Sequence, residues 1–360
     1  MLAVQQVAGN GAALRLLGAR TPAAPSAVQR APSTATTTAP VVQRAPYGLD
    51  RPTSQGPYVD VAYRLWTSNK RMTLKAFADA LLTAIEAGLP APKIPYFEWT
   101  FVTGAGAHGV FDSRSWKIKV NTSKFSTRTP APTLLGQLTV DEVTEVVGTI
   151  YHEARHADQD VLIIRDLLAQ KKKVSAIVAA TKMPRRVVAA VAKARYPSVP
   201  DADQTAHARR MYDVMYGTHK QFLTFLVDHS DAIDVLGKVA EKKAPLRTLA
   251  PHVATLARWQ SRDVKPHIAR ITRLAAPTAV ETALRTRLER LDGALTAFTA
   301  VWKTASGAKK PSTAVVEAVR EKATAAMAVI GETYLELEGE GDAFRVEEDV
   351  KDAFDRKLNP

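Results

Sequence analysis

The sequence predicts an α+β chain that is mostly α, with a small mixed or antiparallel sheet packed on one long helix. Three observations support this prediction. Residues 96–121 are rich in aromatic and β-branched residues, a long periodic helix follows a capping signal at Thr139, and most of the chain beyond it has helical periodicity. We therefore expect an α+β core, a large helical insertion and a disordered N-terminal region.

The composition sets limits on the chemistry. The chain has 360 residues, of which 46% are hydrophobic and 24% are charged, enough for a sizeable core. It contains no cysteine, so disulfides, thiolate ligands and a cysteine nucleophile are excluded, and any metal must be held by histidines and carboxylates. The first 20 residues do not resemble a secretory signal, and no apolar run is long enough to span a membrane.

The net charge of +13 could favour nucleic acid or an anionic membrane. The basic residues are spread over many predicted helices, however, and the one dense run is the three lysines at positions 171–173. Such a distribution is typical of a solvated surface, so the sequence does not favour a nucleic-acid partner.

The pattern divides the chain into five segments. The second one repeats Val-Gln-Arg-Ala-Pro at residues 28–32 and 42–46, either as drift in a low-complexity segment or as a processing or targeting sequence. The five predicted segments are a leader helix (1–20), a disordered Ala/Pro-rich linker (21–57), a sheet and long helix (58–170), a helical insertion (171–311) and a C-terminal helix (312–360).

Residues 58–170 show a change of periodicity. Residues 72–88 have the apolar spacing of a helix, whereas residues 96–102 have strand composition. A hairpin is predicted around residues 112–115, and its second arm, residues 116–121, alternates apolar residues with lysine. This alternation indicates a strand with one wet face, typical of a sheet edge.

A capping box at Thr139 and Glu142 predicts the start of a long helix that ends near Gln170. On this helix His152 and His156 are four residues apart, so both imidazoles lie on one face and can reach one ion. Glu153 follows the first histidine and is placed to accept a proton from an activated water. The pattern predicts a Zn²⁺ site for peptide hydrolysis, with Glu153 as the catalytic residue.

A third ligand is expected from the acidic C-terminal helix. Glu338 and Asp342 are also four residues apart, so Glu338 can complete the metal site. Asp342, one turn later, can accept the free ring N–H of a metal-bound histidine. Glu340 is the alternative ligand if Gly339 and Gly341 shift the start of the helix.

His-Glu-x-x-His followed by Glu-x-x-x-Asp resembles the gluzincins, the thermolysin-like branch of the zincin peptidases. The form Glu-x-Glu-x-Asp-Ala-Phe is similar to the second motif of the prenyl-protease group. Members of that group are embedded in membranes, so only the roles of the site residues are transferred to this chain. The resemblance implies that His152, His156 and Glu338 bind zinc, that Glu153 is the base and that Asp342 orients a ligand.

The same resemblance implies a zincin-like core in which residues 116–121 form the edge strand that pairs with an extended protein or peptide substrate. It covers about a third of the chain. Two departures from the family pattern are the separation of 182 positions from His156 to Glu338 and the glycine at position 341, where the family usually has alanine. The role of the insertion therefore does not follow from the resemblance.

Zincins also need a donor for the developing oxyanion, often a histidine, tyrosine or arginine that is remote in sequence. His207 and Tyr212 lie on a predicted helix, and Tyr334 and Arg345 flank the second motif. The sequence does not choose among these four.

Residues 4–17 resemble the leader of bacterial proteins associated with extracellular contractile injection systems and polymorphic toxins. That resemblance implies a protein of the producing cell's cytoplasm that an injection system exports. Its partners would be the tube or loading proteins of that system.

Three hypotheses follow. The first is a zinc metalloendopeptidase that acts as an injected effector, toxin or processing enzyme. The second is a catalytically silent zincin-fold cargo or scaffold protein. The third is a DNA-binding helical protein, because residues 174–190 resemble a helix-turn-helix that carries Arg185 and Arg186.

Overall fold

A computed structural model describes residues 48–88, 96–103, 108–194, 202–217, 230–335 and 338–359. The leader and the Val-Gln-Arg-Ala-Pro repeats lie outside these residues. The structure is mostly helical with one small mixed sheet. None of the helices in the described ranges combines the length and apolar character needed to cross a lipid bilayer.

The first half of the chain forms two helices, the sheet and a long helix. The elements are α1 (Pro52–Ser68), α2 (Leu74–Gly88), β1 (Glu98–Val102), β2 (Gly109–Asp112), β3 (Lys117–Asn121) and α3 (Val140–Ala169). The second half is helical, with α4 (Val174–Thr181), α5 (Arg185–Lys193), α6 (Ala202–Met215), α7 (Ser230–Ala240), α8 (Ala250–Trp259), α9 (Lys265–Thr272), α10 (Ala279–Gly307), α11 (Thr313–Leu335) and α12 (Glu338–Leu358).

The prediction that folding starts near residue 58 is wrong. Leu49 is already buried in the core, and α1 begins at Pro52. A proline fits the first helical position because its fixed φ suits the helix and its missing N–H has no helical partner there. Pro57, which the prediction placed in the linker, lies inside α1.

The central strand of the sheet is β3, in the order β1-β3-β2, so the prediction of an edge strand at residues 116–121 is wrong. The predicted hairpin is confirmed, because β2 pairs with β3 in antiparallel fashion. On its other side β3 pairs in parallel with β1, and Lys117 lies 3.1 Å from Glu98 of that strand. The alternating lysines therefore mark the wetter face of β3, whereas the backbone is paired on both sides.

Helix α3 is the centre of the first core. Its N-terminus is confirmed, because Thr139 Oγ1 accepts a hydrogen bond from the backbone N–H of Glu142, whose side chain accepts one from the backbone N–H of Thr139. Helix α12 packs along α3, and α2, β2, α5 and α6 contact it from other sides. The long helix is therefore covered along most of its length.

The apolar side chains form two cores. The first core contains residues of α1 to α6, the sheet and the later part of α12, and the second contains residues of α7 to α11 together with Val214 and Phe344. The helices of residues 230–335 all contribute to the second core, and we call this part of the chain the helical lobe. Consecutive helices are separated near Pro245, Pro277 and residues 307–311.

The C-terminal helical stretch is two helices. Helix α11 ends at Leu335 and α12 begins at Glu338, so Gly339 and Gly341 lie in the first turns of α12 and do not interrupt it. The backbone carbonyl of Gly339 accepts a hydrogen bond from Gln159 Nε2 at 2.7 Å. This contact ties the start of α12 to α3.

A buried carboxylate joins α3 to the hairpin turn and the residues after α6. Asp160 is fully buried, and its Oδ1 accepts a hydrogen bond from the Tyr216 hydroxyl, which also lies 3.2 Å from Ser113 Oγ. Burial raises the pKa of Asp160 to about 8, and the Tyr216 hydrogen bond opposes this shift only in part. The carboxyl group is therefore mostly protonated at neutral pH in the folded chain.

We expect Asp160→Asn to change how stability depends on pH. Because the folded-state pKa lies above the unfolded one, the stability contributed by this group is complete below pH ~4 and is lost as the pH rises to ~8. Asparagine has the shape of the protonated acid, so the variant should be more stable than the wild type at pH 7–8, by about 1–4 kcal/mol, and equal to it at pH ~4. Urea unfolding at both pH values measures this; an equal difference at both contradicts it.

Candidate metal site

His152 and His156 lie one turn apart on α3, as their spacing predicts. Their Nε2 atoms are 3.1 Å apart, and their rings meet edge to face with centroids 4.8 Å apart. Both side chains are largely covered, His152 more completely than His156. The two nitrogens therefore face one point inside the protein.

The third group at this point is Glu340, the alternative that the sequence offered. Its Oε2 lies 3.9 Å from His152 Nε2 and 3.8 Å from His156 Nε2, and the three residues form a group that could hold a metal ion. The side chain of Glu338, which was the first choice, lies outside the described residues. Glu340 comes close because α12 begins before Gly339, which places it in the first turn against α3.

The dimensions of this triangle fit zinc. The three donor atoms form a triangle with sides of 3.1, 3.8 and 3.9 Å. An ion in the plane of these atoms and equidistant from them would lie about 2.1 Å from each. Zinc binds histidine nitrogen and carboxylate oxygen at about 2.0–2.2 Å. A tetrahedral ion separates its ligand atoms by about 3.3 Å, so Glu340 has to move in by roughly half an ångström. Two imidazoles and one carboxylate are also a donor set that zinc uses in catalytic sites.

Tyr334 holds the candidate third ligand in place. Its hydroxyl donates a hydrogen bond of 2.7 Å to Glu340 Oε2, the same oxygen that faces the histidines. Burial, followed by the nearby Glu340 charge, raises the pKa of Tyr334, so the hydroxyl stays protonated and remains a donor. The sequence offered Tyr334 as a possible oxyanion donor. In the structure its hydroxyl instead donates a hydrogen bond to Glu340, the candidate ligand.

The second nitrogen of His152 faces Glu347. The Nδ1 atom lies 2.8 Å from Glu347 Oε2, and the glutamate is completely buried. Burial alone lowers the pKa of His152, but the contact with Glu347 outweighs it, so the net shift is upward. On the other side, the ring of Phe344 meets His152 edge to face at 4.7 Å. The imidazole is therefore fixed from two sides.

His156 is oriented by Gln159 and, through it, by Asp342. The Nδ1 atom of His156 lies 2.8 Å from Gln159 Oε1, and Gln159 Nε2 donates to Asp342 Oδ2 at 2.9 Å. Arg155 Nε donates to the same oxygen at 2.8 Å. Burial raises the pKa of Asp342, but hydrogen bonds from His207 and Arg155 hold it well below its usual range. Asp342 therefore reaches His156 through Gln159, whereas the sequence predicted a direct hydrogen bond to a histidine.

Glu153 lies against β2. Its Oε2 accepts a hydrogen bond of 2.7 Å from the backbone N–H of Phe111. Burial raises the pKa of Glu153 to about 7, although His152 and the Phe111 N–H act in the opposite direction. A carboxyl group with this pKa can both take up and release a proton near neutral pH.

A glycine allows this close approach. A Cβ atom built on Gly109 would lie 2.7 Å from Glu153 Cγ, closer than real side chains come. Gly109 therefore has to lack a side chain for Glu153 to sit on the strand.

The other predicted oxyanion donors have different surroundings. His207 Nε2 lies 3.8 Å from Asp342 Oδ2 and, with Arg155, lines a cavity of ≈ 290 Å³ beside the site. Tyr212 is half-buried against Tyr216, with ring centroids 5.9 Å apart. Arg345 is mostly exposed and pairs with Asp342 and Asp349.

Sequence reasoning missed three residues that support the site. Gln159 is one turn beyond His156, Glu347 is two turns beyond Glu340, and Gly109 is the first residue of β2. The helical spacing of Gln159 and Glu347 was a usable signal. The proximity of Gly109 to Glu153 comes only from tertiary packing.

Comparison with protein-family models, with curated proteins and with solved structures finds no significant match to this chain.

We expect zinc titration to separate the two candidate glutamates. The wild type should bind one Zn²⁺, while His152→Ala and Glu340→Gln should each weaken binding by about 100-fold or more, because each removes a direct ligand. Glu338→Gln is the matched control on the same helix turn and should change the dissociation constant by less than about threefold. Chelator competition measures these constants. Loss of binding in Glu338→Gln with retention in Glu340→Gln would reverse the assignment.

Proposed function

We propose that this chain is a zinc-dependent metalloendopeptidase with a zincin-type site in which His152, His156 and Glu340 hold the metal. The observation that carries the proposal is the convergence of their three donor atoms beside Glu153, a carboxylate seated on a strand. A bound zinc ion supplies the Lewis acidity that activates a water molecule and polarises the scissile carbonyl.

The chain's own residues supply the proton transfer. Glu153 is adjacent to His152 on α3, and its raised pKa near 7 suits a group that takes a proton from the attacking water and delivers it to the leaving amine. The Phe111 N–H fixes one oxygen of the carboxylate, which limits the directions in which the proton can move.

We place the substrate at the sheet edge beside Glu153, where all four residues of β2 are buried, so this edge has to be uncovered first. Strand β2 is an edge strand, and the Phe111 N–H points away from β3 towards Glu153. An extended peptide added along this edge would run beside the base, as in other cases of strand addition. We propose β2 for this role in place of the strand at residues 117–121.

One observation favours the second hypothesis, a catalytically silent scaffold. Glu153 is 3% exposed and already accepts a backbone hydrogen bond, so substrate has to open this contact before the base can act. The export of the chain by an injection system remains a proposal that rests on the leader resemblance.

The two hypotheses differ in what Glu153→Gln does. For a peptidase, hydrolysis of a quenched fluorescent peptide library by the zinc-loaded protein should fall by about 100- to 10,000-fold, because a general acid–base residue is lost. Zinc affinity should stay unchanged. Glu332→Gln, an exposed glutamate on α11, is the control and should keep full activity. A zinc-loaded wild type that cleaves nothing supports the scaffold.

The glycine beside the base gives a separate prediction. Gly109→Ala should lower hydrolysis by about 10- to 100-fold, because the new methyl group displaces Glu153 from the strand. Zinc affinity should be retained, since the three atoms nearest to the new methyl group all belong to Glu153. Gly293→Ala, on α10 in open space, is the matched control. Full activity in Gly109→Ala would show that Glu153 does not need its present position.

A further inference from the structure

Lys351 is a buried lysine on α12, only 6% exposed. Its Nζ lies 2.9 Å from Glu347 Oε1, 3.0 Å from both carboxylate oxygens of Glu145 and 3.3 Å from Glu348 Oε1. Glu145 and Glu348 reach solvent, whereas Glu347 is completely buried. A buried carboxylate is costly without a paired charge, so Glu347 depends on Lys351 far more than the other two do.

Glu347 connects Lys351 to the metal site. Its Oε1 faces the lysine, and its Oε2 lies 2.8 Å from His152 Nδ1. The other nitrogen of His152 faces His156 and Glu340. Lys351, Glu347 and the His152 ring therefore form one row that ends at the ligand atom.

Gly148 on α3 leaves the space through which the Lys351 side chain passes. A Cβ atom on Gly148 would lie 2.5 Å from Lys351 Cε and 3.0 Å from Glu347 Cγ. The side chain of Lys351 therefore crosses α3 at Gly148, where a larger residue would block it. The glycine, the lysine and the glutamate fit together as one packed unit.

We propose that Lys351 is a positioning residue of the metal site: it fixes Glu347, which keeps His152 in the tautomer with hydrogen on Nδ1 and directs the Nε2 lone pair at the metal. The metal part of this inference rests on the proposed function. A carboxylate beside one ring nitrogen favours the tautomer with hydrogen on that nitrogen and leaves the other nitrogen free to bind metal, and partners of this kind strongly affect metal affinity.

A purely structural role for Lys351 predicts a different result. A lysine that only stabilises the α3–α12 packing would change the unfolding temperature and leave the His152 ring and zinc affinity as they are. The tautomer of His152 in zinc-free protein therefore separates the two roles. It can be read from ¹⁵N chemical shifts of labelled histidine, assigned with His152→Ala.

The test compares Lys351→Met with Lys357→Met. Both remove one lysine from α12, but Lys357 is half-exposed and pairs with Asp60 at the surface. In Lys351→Met we expect loss of the single Nδ1–H tautomer at pH 8 and a zinc dissociation constant raised by about 10-fold. Lys357→Met should keep the wild-type tautomer and affinity, and Lys351→Arg, which retains the charge, should recover both at least in part.

Either readout left unchanged in folded Lys351→Met overturns the inference. If that variant does not fold, Lys351→Gln, which keeps a donor without the charge, is measured by the same two readouts and decides in the same way. A wild type that binds no zinc defeats the proposed function instead. In that case the tautomer in zinc-free protein still shows whether Lys351 orients His152.

Discussion

The packing of α12 along α3 is the contact on which the candidate site depends, because both helices contribute polar groups to it. His152, Glu153 and His156 come from α3, while Glu340 and Glu347 come from α12. Between two packed helices these groups are shielded from water, where an unpaired charge is costly and each hydrogen bond is stronger than at the surface. The polar groups of the site consequently form a network of hydrogen bonds and ion pairs that fix one another in position.

Charge balance explains why a divalent cation suits this network. Glu153, Glu340 and Glu347 are covered carboxylates close to the two histidines, and Lys351 is the buried cation paired with one of them. Lys351 also contacts Glu145 and Glu348, so it offsets only part of the negative charge here, and a divalent ion would offset more of it. Without the ion, the same excess contributes to the raised pKa of Glu153, since Glu340 and Glu347 both disfavour its ionised form after burial has done so.

The helical lobe is linked to the site by two aromatic residues. Tyr334, at the end of α11, belongs to the second core and binds Glu340 through its hydroxyl. Phe344 belongs to the same core and packs on the His152 ring. Any movement of the lobe relative to α3 therefore acts on a candidate ligand directly, which gives this part of the chain a physical connection to the metal site.

The sequence by itself determined the elements whose signals are local. The capping box at Thr139, the helix that carries His152 and His156, and the hairpin between β2 and β3 follow from side chains within a few residues of each other. Only the tertiary structure decided which strand lies at the edge, because the pairing of β3 with β1 is non-local. It also decided that Glu340 faces the histidines, since that depends on where α12 starts against α3. The contacts of Lys351 with Gly148 and of Gly109 with Glu153 could not be predicted, because they arise from close approach between elements that are distant in the chain.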